Sequence, residues 1–76
     1  MAHPDAIQDL LKEKGFHLEK LDDSEGEVEA LYIKPRPSGA SIYVTVPVNC
    51  DFVSEDVLMR IMETAQIPQS EYHHLR

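Results

Sequence analysis

The chain is short of cysteine, aromatic residues and positive charge. It has 76 residues with one cysteine and no tryptophan, so a disulfide framework cannot compensate for a small core. A single thiol is typical of a protein from a reducing compartment, and we therefore predict a cytoplasmic location. The sequence has neither a basic region followed by an apolar run near its beginning nor an apolar stretch of about 18 residues. We expect neither secretion nor membrane insertion.

Acidic residues outnumber basic residues by two to one. Seven Lys and Arg stand against fourteen Asp and Glu, which gives a formal net charge of −7, and the excess is concentrated between residues 19 and 29. Phosphate contacts supply most of the non-specific affinity of nucleic-acid-binding proteins, and they need a basic surface. We therefore expect RNA not to be a partner. The acids either maintain the solubility of a small domain or form a docking surface for a basic protein.

The composition is otherwise that of a globular protein. Hydrophobic residues make up 42% and charged residues 28% of the chain, and the length predicts one domain over residues 1–76. Pro4 is typical of the first turn of a helix, and Gly15 is typical of a left-handed cap at its end. We therefore predict a first helix from Pro4 to Lys14.

Extended segments follow this helix. Phe16 and Leu18 share one face of a first strand, which the polar turn DDSEGE ends. A second strand is predicted over about Val28 to Lys34, and the alternation in SIYVTVPVN predicts a third from Ser41 to Asn49. The segment PRPSGA joins these two strands, with a tight turn at its Ser-Gly pair.

The last predicted element is a second amphipathic helix, with Ser54 as its N-cap and Pro68 beyond its end. Two such helices and an antiparallel meander all need apolar partners. We therefore predict an α+β domain of order α-β-β-β-α, with both helices on one face of a three-stranded antiparallel sheet. The predicted core consists of Ile7, Leu10, Leu11, Phe16, Leu18, Ile42, Val44, Val46, Leu58, Ile61 and Met62.

Several motifs lie in a characteristic order along the chain. They are Gly15-Phe16 after the first helix, VTVPVN at residues 44–49, a helix ending near Ala65, and Ile67 followed by a polar turn and Tyr72. Over roughly residues 5–75 this order resembles the HicA family, most closely from Val44 onward. The resemblance implies a double-stranded-RNA-binding-domain-like fold and a toxin-antitoxin context, in which HicA proteins are mRNA interferase toxins and HicB-type antitoxins neutralise them.

The chain departs from the HicA pattern where the family has its catalytic residues. Glu29 stands at the position of the catalytic His in the second strand, and Glu27 at the Gly of the same motif. Asn49 replaces a second His that commonly follows the third strand. His accepts a proton from a 2′-hydroxyl near neutral pH, whereas Glu does so only when desolvated. We therefore predict a non-catalytic module that binds a protein partner, an antitoxin-like protein among the candidates, through its sheet face or edge.

An alternative function stays open. The chain is then a divergent RNA-cleaving toxin of the HicA type, with His17 or a desolvated Glu29 as the base and a HicB-type antitoxin as its partner. A surface role for His17 is the competing interpretation. We predict no metal site and no cofactor, because the sequence has neither a pair of His at helical spacing nor a Cys-x-x-Cys motif.

The predicted binding residues centre on Tyr43. Its place in the alternation of the third strand puts it opposite the Val stripe, and we expect Lys34 and Arg36 beside it. A cationic and aromatic spot of this kind is suited to binding a ligand or stacking on a base. Tyr43, Lys34, Arg36 and Asn49 are therefore the binding candidates. The alternative role of Tyr43 is a cross-strand pair that stabilises the sheet.

Overall fold

The structure, a computed structural model, describes residues 1–24 and 26–75 of the chain. Its elements are α1 (Pro4–Glu13), β1 (His17–Ser24), β2 (Glu27–Pro35), β3 (Ser41–Pro47), α2 (Glu55–Ala65), α3 (Gln69–Tyr72) and a 3-10 turn (His73–Leu75). The strands form one antiparallel sheet in the order β1-β2-β3. The predicted α+β class and α-β-β-β-α order are confirmed, and the structure adds the two short helical segments at the end.

Local signals set the ends of the two main helices. After α1, Gly15 has a φ of 96°, and the Phe16 N–H donates to the Leu11 carbonyl at 2.9 Å, which is the pattern of a Schellman cap. At the start of α2, the Ser54 hydroxyl accepts the Val57 N–H at 3.3 Å. Both predicted caps are confirmed. No helix in the described ranges is long and apolar enough to cross a membrane.

The core lies between the helices and one face of β2 and β3. The directly opposed pairs Ala30–Val46 and Tyr32–Val44 are buried. Both helices contribute to the same cluster, so they lie on one side of the sheet, as predicted. The buried side chains that join these four include Ile7, Leu10, Leu11, Phe16, Leu58, Ile61 and Met62, with Ile42 partly buried against them.

The prediction of Leu18 as a core residue is wrong, because its side chain is 45% exposed. Leu18 pairs with Tyr32 and therefore lies on the helix side of the sheet. However, β1 is an outer strand, and the helices pack principally against β3. A bulge between Leu18 and Lys20 brings the exposed Leu21, opposite Ala30, to the same uncovered flank.

A side-chain hydrogen bond joins the sheet to α1. The buried Tyr32 hydroxyl donates to Gln8 Oε1 at 2.7 Å, and Gln8 Nε2 donates to the Pro4 carbonyl at 3.3 Å. Burial raises the pKa of Tyr32 above its ordinary value, and the charge of Asp9 raises it further. The folded state therefore holds the Tyr32 proton more tightly than the unfolded state does. The resulting contribution to the free energy of unfolding is fully present below about pH 10 and is lost as the pH rises further.

We expect Tyr32→Phe to lower stability at neutral pH and to flatten the alkaline part of the stability profile. At pH 7 the variant loses the hydrogen bond to Gln8, which costs roughly 0.5–1.5 kcal/mol. Above about pH 10 the parent loses stability, because Tyr32 ionises more easily in the unfolded state. The variant lacks this tyrosine, so the difference in free energy of unfolding between the two proteins narrows. Urea midpoints of both proteins between pH 7 and 11 check this. Tyr43→Phe, a change at an exposed side chain, is the control. A difference in urea midpoint between Tyr32→Phe and the parent that stays constant with pH contradicts the prediction.

Candidate functional site

Among the described residues, α1 and α2 both pack on one face of the sheet and leave the other face open. The opposed pairs Leu31–Thr45 and Ile33–Tyr43 lie on it, because they alternate with the buried pairs of the core face. Tyr43 is 58% exposed, whereas Leu31 and Ile33 are half-buried. An exposed aromatic side chain beside aliphatic ones is a common feature of surfaces that contact other proteins. The predicted outward orientation of Tyr43 is confirmed.

Lys34 does not lie beside Tyr43, contrary to the expectation from sequence. It pairs with Ile42, the neighbour of Tyr43, and therefore points to the opposite face of the sheet. Its Nζ lies 5.8 Å from the centre of the Phe16 ring, a cation-π contact on the helix side. Arg36 lies in the exposed connection between β2 and β3. Of the expected cationic and aromatic spot, the structure places Tyr43 on the open face and Lys34 on the helix side.

The two candidate bases of the alternative function share this face but not a site. His17 is opposite Ile33, and Glu29 is opposite Pro47. Ile33 and Glu29 are four residues apart along β2, which corresponds to roughly 13 Å. His17 and Glu29 are therefore too far apart to act on one scissile bond as a base and acid pair.

A groove runs beside the outer edge of β3, between this strand and α2. It has a volume of about 330 Å³ and is referred to here as the β3 groove. Its lining includes Tyr43, Thr45 and Pro47 from β3, and Val57, Arg60 and Ile61 from α2. The side chains of α2 thus form a second wall facing the edge of the sheet.

A second depression, of about 270 Å³, adjoins the β3 groove. The two share Glu29 and Pro47, and the second is also lined by Glu27, Asn49 and Cys50. Asn49 therefore lies just beyond one end of β3, whereas Tyr43 lies near the other end. The four binding candidates from sequence do not form a single site, but Tyr43 and Asn49 lie along one continuous surface.

The β3 groove exposes main-chain groups of the strand. The Val48 N–H donates to the Val28 carbonyl at 3.0 Å, and opposed residues in an antiparallel ladder alternate between bonded and non-bonded pairs. Counting back in twos from Val48, the even-numbered residues of β3 bond to β2. Tyr43 and Thr45 therefore direct their N–H and C=O groups away from β2. Pro47 has the same outward parity, at a position where its missing N–H costs the ladder nothing.

The two edges of the sheet differ in how they are protected. The β1 edge carries charged side chains along its length and a bulge between Leu18 and Lys20, and both features discourage pairing with another strand. The β3 edge is regular, and its sequence SIYVTVP has no charged residue. Pro47 at its end is the protective residue within the strand. The β3 edge is therefore the one suited to accept a further strand.

Reasoning from the sequence missed the contribution of α2 to this site. Arg60 is the single basic residue in the helix sequence EDVLMRIMETA. A lone base in an acidic helix could have pointed to it as a binding residue. The main-chain groups of Thr45 were missed as well, because alternation predicts the direction of side chains but not which edge stays unpaired. Among the described residues, no group of three or more His, Cys, Asp or Glu side chains is placed to hold a metal ion.

Comparison with known proteins adds no assignment. No protein-family model matches this chain, and no curated protein matches it. The resemblance to the HicA family therefore depends on the order of elements and on the motifs from Gly15 to Tyr72 described above.

Proposed function

We propose that this chain is a non-catalytic interaction module of the bacterial cytoplasm that binds a protein partner through the open face and the β3 edge of its sheet. The observation that carries the proposal is the asymmetry of the sheet. One face is packed under two helices, whereas the other presents Tyr43 to solvent. One edge is bulged and charged, whereas the other is regular, uncharged and bordered by the β3 groove.

The chemistry of the surface supports binding rather than RNA cleavage. Glu29 lies at the end of the β3 groove and both Glu27 and Glu29 line the adjoining depression, where their charges repel a phosphate. His17 lies at the far end of the open face from Glu29, so these two side chains do not form an acid and base pair. The net charge of −7 opposes association with nucleic acid at long range.

The HicA resemblance adds a class of partner to this proposal. A HicB-type protein encoded beside this chain is the first candidate, and binding it does not require that this chain cleave RNA. The chain thus binds the kind of partner that the resemblance implies without the catalytic activity of the family.

Photo-crosslinking in cells tests the proposed function. A benzoylphenylalanine residue at position 43 is expected to form a crosslink to one discrete protein, and the same residue in place of the exposed Lys12 on α1 is the matched control. The purified partner should bind the parent chain, and Tyr43→Ala should weaken that binding by roughly tenfold, as loss of an exposed aromatic anchor does at interfaces.

Two results count against the proposal. Equal crosslinking from positions 43 and 12 means that the open face is not a specific surface. Crosslinks to RNA, together with growth arrest when the parent chain is overproduced, support the ribonuclease alternative instead. In that case His17→Ala and Glu29→Gln identify the base, because one of the two changes then abolishes the arrest.

A further inference from the structure

We propose that the β3 groove holds its partner by strand addition: an extended segment with alternating aliphatic and cationic side chains joins the sheet as a fourth strand. This inference rests on the proposed function and specifies how the partner is held. Addition of a strand to a free sheet edge gives affinity through main-chain hydrogen bonds, while pockets for alternate side chains give selectivity.

The main chain of β3 offers the hydrogen bonds that such a segment needs. Tyr43 and Thr45 each direct one N–H and one C=O away from β2, and both residues line the β3 groove. Pro47 has no N–H, so β3 cannot donate a hydrogen bond to the added strand at that residue. An added strand is therefore expected to bond along the segment from Ser41 to Thr45.

The geometry of the sheet sets the alternation of side chains in the added strand. Residues placed opposite Tyr43 and Thr45 lie on the open face, because opposed residues in a sheet point the same way. The residue between them points to the helix side, where Val57 and Ile61 of α2 line the groove. An aliphatic side chain at that position removes apolar surface from water on both partners.

Charge selects the side chains of the other positions. Glu29 lies on the open face at the Pro47 end of the groove, with Glu27 in the adjoining depression, and the whole chain carries −7. Cationic side chains on the open face are attracted by these carboxylates and are also suited to contact the ring of Tyr43. Arg60 lies on the α2 wall, so the helix-facing positions disfavour a cation. The partner segment therefore alternates bases with aliphatic residues.

Peptide binding tests the inference. The probe is a fluorescent, terminally blocked heptapeptide that alternates Lys and Val, and its affinity is measured by anisotropy at physiological salt. Two further versions carry N-methyl groups on the amides of either the Lys or the Val residues. We expect one N-methylated version to bind at least roughly tenfold more weakly than the parent peptide and the other to bind like it, because only alternate amides face β3. Which version fails reports whether the added strand is antiparallel or parallel.

Variants of the protein test the same edge from the other side. Thr45→Pro removes an outward N–H without removing a bond to β2, and Thr45→Val keeps the N–H in a side chain of similar shape. We expect the Lys-Val peptide to bind Thr45→Pro at least roughly tenfold more weakly than it binds Thr45→Val, because the two variants differ in the outward N–H. A peptide with Glu in place of Lys should bind more weakly than the Lys version, and Glu29→Gln should reduce that difference.

Several outcomes overturn the inference, and they differ from failure of the proposed function. Equal binding of both N-methylated peptides shows that the segment is not held as a strand, and this readout stands even where Thr45→Pro does not fold. Preference for the Glu peptide, or no binding of the Lys peptide at 1 mM, shows that the assigned chemistry is wrong. A concentration-dependent dimer that Thr45→Pro abolishes shows that a second copy occupies the edge instead. The proposed function is still supported after each of these results if Tyr43→Ala weakens binding of the crosslinked partner.

Discussion

Leu58→Ala is expected to cost about 2–5 kcal/mol of stability, the usual range for removing a fully buried Leu side chain. Leu58 is 0% exposed and lies in α2 within the core cluster that also contains Leu11 and Val46. Truncation loses the transfer free energy of the side chain and leaves a cavity that the surrounding side chains fill only in part. A domain of this size has a total stability of roughly 4–11 kcal/mol, so the loss is a large share of the total.

The urea midpoint measured by circular dichroism checks this, and the next residue along α2 supplies the control. Met59 is 37% exposed, so Met59→Ala is expected to cost less than about 1 kcal/mol. The two substitutions affect the same helix and similar numbers of atoms. Equal midpoint shifts for the two variants would show that α2 does not pack by the face assigned here.

Proline substitution at adjacent residues of β3 is expected to have opposite outcomes. Val46→Pro removes the N–H that bonds to β2, and it also replaces a fully buried side chain that opposes Ala30. The combined loss of the hydrogen bond and of packing is roughly 3 kcal/mol or more. Thr45→Pro removes an N–H that points away from β2, at an exposed residue, and is expected to leave the fold intact.

Thermal unfolding of the two proline variants, followed by circular dichroism, makes the comparison. Val46→Pro should lack a cooperative transition or melt far below the parent, whereas Thr45→Pro should retain one. Similar loss of structure in both variants contradicts the assignment of outward main-chain groups to the odd-numbered residues of β3. The same outcome would weaken the structural basis of the β3 edge as a docking surface.

The elements that were predicted well from sequence are those that depend on neighbours along the chain. Gly15 ends α1 because glycine adopts the left-handed conformation with little strain. Ser54 begins α2 because its hydroxyl accepts a hydrogen bond from the main-chain N–H three residues on. The outward orientation of Tyr43 followed from the two-residue period of a strand. These signals act over a few residues, so the sequence is sufficient to read them.

Long-range placement decided the rest. Leu18 has the pattern of a core residue but lies on an outer strand that the helices leave largely uncovered, and Lys34 belongs to the face that contacts Phe16. The β3 groove depends on Thr45 facing away from β2 and on Arg60 being carried beside that edge by α2. The sequence by itself determined the order, the caps and the alternating faces of the elements. Only the tertiary structure decided that β1 and β3 are the two edges of the sheet, that the bulge lies in β1 and that α2 lies beside β3, because these features depend on contacts between residues distant along the chain.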